Sequence, residues 1–126
     1  MEKIEITEAV KVIIAKRAML NDSNFRDVAM MNVKIVDANL SDLEIEGGQL
    51  GGAYIHNIGM PPKGHPMHNP EAKQRPLKFE DCDLNNSTIT NCNLTGVAIS
   101  DCNLSGATID GVSLEELLST YKQAKK

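Results

Sequence analysis

Residues 81–114 read DCDLNNSTITNCNLTGVAISDCNLSGATIDGVSL. A large aliphatic residue returns at every fifth position, at Leu84, Ile89, Leu94, Ile99, Leu104, Ile109 and Leu114. Neither a helix of about 3.6 residues per turn nor the alternation of a strand produces that spacing. The phase extends back to Phe79, and a second register holds Phe25, Met30, Ile35, Leu40, Ile45, Leu50, Ile55 and Met60. The chain therefore carries two blocks of eight units.

Two residues before each aliphatic lies a second uncharged position, small or apolar. In the first block it is Ser23, Val28, Val33, Ala38, Leu43, Gly48, Ala53 and Ile58, and in the second Leu77, Cys82, Ser87, Cys92, Val97, Cys102, Ala107 and Val112. The intervening residues are mostly Asn, Asp, Ser, Thr, Gly or charged, as turns and solvated surfaces accept. The pattern reads in, out, in, out, out. A chain that turns a corner at each unit closes a square every four units, and successive squares stack through backbone hydrogen bonds at about 4.8 Å.

The units DANLS, DCDLN, NCNLT and DCNLS resemble those of the pentapeptide-repeat proteins, whose pattern is A(D/N)LXX. The resemblance runs over residues 23–58 and 77–114 and implies an all-β solenoid, a right-handed quadrilateral β-helix of roughly four coils in two blocks. Ala, the residue that family favours at the small position, stands there only as Ala38, Ala53 and Ala107, and Gly47-Gly48 and Gly51-Gly52 loosen the second coil.

All five prolines lie between Pro61 and Pro76, in PPKGHPMHNPEAKQRP. Proline donates no ladder hydrogen bond, so residues 61–76 are expected to leave the helix as a loop before the repeat resumes at Leu77. The organisation expected is one domain of 126 residues: an N-terminal cap over 1–22, repeats over 23–60, the loop over 61–76, repeats over 77–114 and a C-terminal helix over 115–126. In SLEELLSTYKQAKK, Leu114, Leu117, Leu118 and Tyr121 fall on one helical face, with Glu115 and Glu116 early and Lys122, Lys125 and Lys126 late, as the helix dipole favours. Thr7 offers an N-cap for a helix through Met19, but the β-branched run VKVII points to a strand-like or mixed N-terminal cap. Both caps answer one need: a stack of coils has two open ends that require covers.

Aromatic residues make up 3% of the chain and Trp is absent, so a core must come from small aliphatics. Lys11, Lys16 and Arg17 interrupt the apolar part of the N-terminal segment, which fits neither a leader nor a membrane span; a cytoplasmic protein is expected. The net charge of −4 is unevenly spread. Residues 79–114 hold Glu80, Asp81, Asp83, Asp101 and Asp110 with no Lys or Arg, whereas 61–78 hold Lys63, Lys73, Arg75 and Lys78 against Glu71 alone. An acidic face and a basic loop follow.

The ten-residue spacing of Cys82, Cys92 and Cys102 looks like that of metal ligands until the repeat phase is noticed; small buried filler is the expectation. His65 and His68 form H-x-x-H without a spaced third ligand, and His56 faces outward, so no metal or other cofactor is expected. A filled β-helix offers no cleft for a nucleophile and an oriented base, which argues against an enzyme. The favoured reading is a non-enzymatic interaction module that contacts a protein partner through the loop, with His65, His68, Lys73 and Arg75, and the acidic face, with Asp81, Asp83 and Asp101. Direct nucleic-acid binding is disfavoured by the acidic surface, and a monomer or end-to-end homodimer is expected. The resemblance supplies the alternative of a DNA mimic that binds DNA gyrase and protects it from quinolones. Four coils span only about 20 Å, and the basic loop works against that alternative.

Overall fold

The computed structural model describes residues 2–125, in two units that divide after His56. Left-handed residues give the backbone its rhythm. In the first unit φ is positive at Arg17, Asp22, Asp27, Asn32, Asp37, Asp42, Gly47 and Gly52, every fifth residue. In the second it is positive at Asp81, Asn86, Asn91, Gly96, Asp101, Gly106 and Gly111. Apart from Arg17 these are Asp, Asn or Gly, the residues that tolerate this region because they lack bulk at Cβ or bond their own backbone. From Phe25 onward each lies two residues after a repeat aliphatic, so the five-residue phase of the sequence is also a phase of the backbone.

Corners of two kinds alternate. Turns at 41–42, 51–52, 85–86, 95–96 and 105–106 are closed by backbone bonds from the amides of Leu43, Ala53, Ser87, Val97 and Ala107 to the carbonyls of Leu40, Leu50, Leu84, Leu94 and Leu104, at 2.8–3.1 Å. The left-handed residue is third in each, as a type II turn requires. Between them lie open bends at 27, 37 and 47 and again at 81, 91 and 101. One full alternation takes ten residues.

The second unit ends in regular structure. Strand β1 (Thr108–Ile109) pairs antiparallel with β2 (Val112–Ser113), Ile109 opposite Val112, across Asp110-Gly111 with φ of 49° and 78°. Two successive left-handed residues are what a type I′ hairpin turn needs, and Asp-Gly supplies them. Helix α1 (Leu114–Ala124) follows directly, and the Ser113 hydroxyl accepts the Glu116 amide at 3.2 Å as its N-cap. The Leu114 amide donates to the Ala107 carbonyl at 3.0 Å and the Gly106 amide to Glu115 Oε1 at 3.3 Å, tying hairpin and helix to the last turn. Leu104, Ala107, Ser113 and Leu114 are accordingly half-buried.

Three expectations are corrected. The repeat aliphatics were expected to point into a filled core, yet no hydrophobic side chain among the described residues is buried, and Leu40, Leu94 and Ile89 are 44%, 51% and 69% exposed. The corners form from bonds spanning two or three residues, whereas burial requires one coil to meet the next. The cysteines were expected to be buried filler and are exposed for the same reason. Ile109 was read as one more inward corner residue and lies instead in the hairpin. At the N-terminus residues 2–22 form neither helix nor paired strand.

Candidate functional site

The Pro-rich segment is a run of tight turns. Amide-to-carbonyl bonds close Pro62–His65, His65–His68 and Asn69–Ala72 at 2.9–3.1 Å, and Asn69 Oδ1 accepts the Glu71 amide at 3.0 Å. Both histidines take part through Nδ1, in opposite senses. His65 Nδ1 lies 3.0 Å from the Met67 amide and accepts from it; His68 Nδ1 lies 3.0 Å from the Pro61 carbonyl, which only accepts, so that ring nitrogen donates. His65 is therefore in the tautomer protonated at Nε2. The donor bond of His68 leaves its Nε2 as the acceptor nitrogen. The two rings are oppositely set within the loop. No cluster of three His, Cys, Asp or Glu side chains placed to hold a metal occurs among the described residues.

Lys73 and Arg75 are exposed on the same segment, and Arg75 is engaged in a polar interaction of its own. Lys78 Nζ pairs with Glu80 Oε2 at 3.0 Å. The hydrogen bond and the charge of Glu80 hold the Lys78 ammonium above the usual lysine range. This pair joins the basic segment to the acidic one.

The three acids behave differently. Asp81 and Asp101 sit at equivalent open bends, φ 54° and 55°, and both are exposed. Asp83 is not at a corner: its Oδ1 accepts the Asn85 amide at 2.9 Å, and Asn93 and Asn103 make the same bond to Thr95 and Ser105 at 3.0 Å. These Asx turns set up the closed corner that follows, so Asp83 has one oxygen committed locally. The structure thus brings Asp81 and Asp101 into equivalent positions, gives Asp83 a turn-forming role and places His65 and His68 in one loop.

Sequence reading missed four features. The hydrogen bonds of the cysteine thiols carry no sequence signal at a position that also accepts Val or Ala. The stack of Tyr54 on His56, centroids 3.9 Å apart and 9° from parallel, follows from two rings on the same side of one extended unit. The hairpin and its helix cap were legible, as Asp-Gly and as Ser113-x-x-Glu116, a capping-box pattern.

No helix among the described residues is long and apolar enough to cross a membrane. Residues 78–115 match the family model for pentapeptide repeats, in eight copies. No curated protein and no solved structure matches the chain.

Proposed function

We propose, from the match of residues 78–115 to pentapeptide repeats, that the chain is a non-enzymatic protein-interaction module whose coils stack into a right-handed quadrilateral β-helix of about four coils. The observation that carries this reading is the alternation of closed and open corners. Two alternations make a coil of four corners, and on closure the row of large aliphatics and the row of small residues both turn inward. Stacking removes from water side chains that are about half exposed, each contributing about 1.5–3 kcal/mol when fully buried. The polar residues left outside form flat walls and corners with no cleft. That surface suits a protein partner better than a small substrate.

The contact surface proposed is Asp81 and Asp101 with the basic segment that carries His65, His68, Lys73 and Arg75, in the cytoplasm. Asp81 and Asp101 stand one coil apart on one edge, so a partner with basic groups at about 5 Å spacing matches them. The test is capture of a partner from cytosolic extract by the wild type, by the D81N/D101N variant and by a chain with residues 61–75 replaced by a Gly/Ser linker. Salt-sensitive capture lost in one of the variants supports the reading, and capture unaffected by either overturns the assigned surface. The corner aspartates also suit the second reading, a DNA mimic that acts on gyrase. Salt-sensitive inhibition of supercoiling, lost when Asp81, Asp83 and Asp101 become Asn, would place that reading first; no inhibition at micromolar protein is expected.

A further inference from the structure

The cysteines keep time with the corners as well as with the aliphatics. Each follows a left-handed residue at an open bend: Cys82 after Asp81, Cys92 after Asn91 and Cys102 after Asp101. These bends lack the backbone bond that closes the intervening corners, and the thiol supplies a substitute. Sγ donates to the carbonyl two residues back, Cys82 to Glu80 at 3.3 Å, Cys92 to Thr90 at 3.3 Å and Cys102 to Ser100 at 3.2 Å. The first block places Val28, Ala38, Gly48 and Ile58 at this position, none with a side-chain donor. All three thiols are reduced and exposed.

We propose that Cys82, Cys92 and Cys102 form a row of thiol-modification sites through which a small disulfide of the glutathione class holds the second repeat block open. The proposal rests on the stacked-coil reading above. As the chain stands the thiols are in solvent; in stacked coils the same positions point inward, Cys82 and Cys102 on one wall and Cys92 across from them, where a glutathionyl group has no room. A reagent that bonds to the open form alone draws the population toward it.

The chemistry is thiol–disulfide exchange. A cysteine thiolate attacks one sulfur of the disulfide, a mixed S–S bond forms as the original S–S bond breaks, and the departing glutathione thiolate takes up the proton the cysteine released. The cysteine is oxidised and one glutathione is reduced. The S–H donor is consumed in the same step, so each bend loses its brace as it gains its adduct. By reciprocity, a partner that grips the stacked faces shields the thiols.

The test treats the full chain with glutathione disulfide, counts adducts by intact mass, locates them by peptide mapping, and follows far-ultraviolet circular dichroism and thermal unfolding before and after dithiothreitol. Adducts at all three cysteines, loss of β signal in step with them and recovery on reduction are expected. The triple variant C82S/C92S/C102S keeps a hydroxyl donor at each bend, and its β signal is expected to persist without response to the reagent. A fully modified chain with unchanged spectrum and unfolding overturns the proposal, as do native thiols that stay unmodified while peptides of the same segments react. Absence of β signal in the unmodified serine variant and wild type alike sinks the stacked reading instead, and the device with it.

Discussion

The two repeat blocks share one backbone rhythm and differ in how it is held. Both place a left-handed residue two positions after the aliphatic. In the second block three successive ten-residue stretches each carry a thiol bond across the open bend, an Asx turn and a closed type II corner. In the first block the corners at Leu40 and Leu50 are closed the same way, but Asn39 is the residue whose Oδ1 accepts the Ser41 amide, and Ala29 and Gln49 stand at the matching places. The family match covers residues 78–115 and not the first block. The lesson is that the corner depends on the left-handed residue, while the letters that make a repeat recognisable are the side chains that brace it.

The largest expected effect tests whether the aliphatic row turns inward. If the coils stack as proposed, Leu94→Asp should abolish the folded state, on the order of 3–5 kcal/mol, because stacking would place an unpaired carboxylate among apolar side chains. Thr95→Asp, one residue on, should cost well under about 1 kcal/mol, chiefly the Thr95 hydroxyl bond to Asn93 Oδ1. Equal shifts in thermal unfolding at the two sites would break the inward phase.

Corner substitutions come next and compare the blocks directly. A Cβ at Gly96 or Gly52 meets no atom within 4 Å, so any cost there is conformational. With φ of 75° and 79°, Gly96→Val and Gly52→Val should each lose about 1–2 kcal/mol. Gly51→Ala, at a position without positive φ and equally open, should be neutral or stabilising by up to about 1 kcal/mol. Denaturation curves that separated Gly96→Val from Gly52→Val would show that the blocks do not share a corner after all.

Smaller still is the cap. Ser113→Ala should lower stability by about 1 kcal/mol and reduce helical signal from α1 without disturbing the first block. The smallest effect lies at the join between the basic and acidic segments. Because Lys78 is held above the ordinary lysine range, its pairing with Glu80 is fully present below that range and is lost as pH rises beyond it. A slight fall in unfolding midpoint above pH 10.5 in the wild type, absent in Glu80→Gln, is expected; both residues are largely exposed, so solvent screens most of it.

Legibility in the sequence followed range. The five-residue phase could be read because a left-handed corner admits so few residues that Asp, Asn and Gly mark it wherever it falls. The helix could be read from Leu114, Leu117, Leu118 and Tyr121 for a similar local reason. The Asp-Gly hairpin was overlooked because Ile109 and Val112 also satisfied the repeat, and one residue cannot show which of two local rules it obeys. The thiol bonds were invisible because a cysteine at a small position looks the same whether it fills space or donates a proton. The oppositely set rings of His65 and His68 depend on carbonyl and amide positions that no spacing encodes. Coil stacking joins residues about twenty apart, and a periodic sequence states what each coil offers without stating when the coils meet.

The hairpin behind Asp110-Gly111 also acts as punctuation. One left-handed residue deflects the chain and lets the array continue; two in succession reverse it, and the helix that follows seals the reversal. Because corners alternate in kind, this full stop is written after a closed corner, at 105–106. Lengthening the array by a single five-residue unit would present it with an open bend, and the Ala107 carbonyl and Gly106 amide that receive the helix would belong to the wrong kind of corner. Lengthening by ten restores the match. The module of growth in such a chain is therefore the pair of units, and its natural lengths differ by even numbers of repeats.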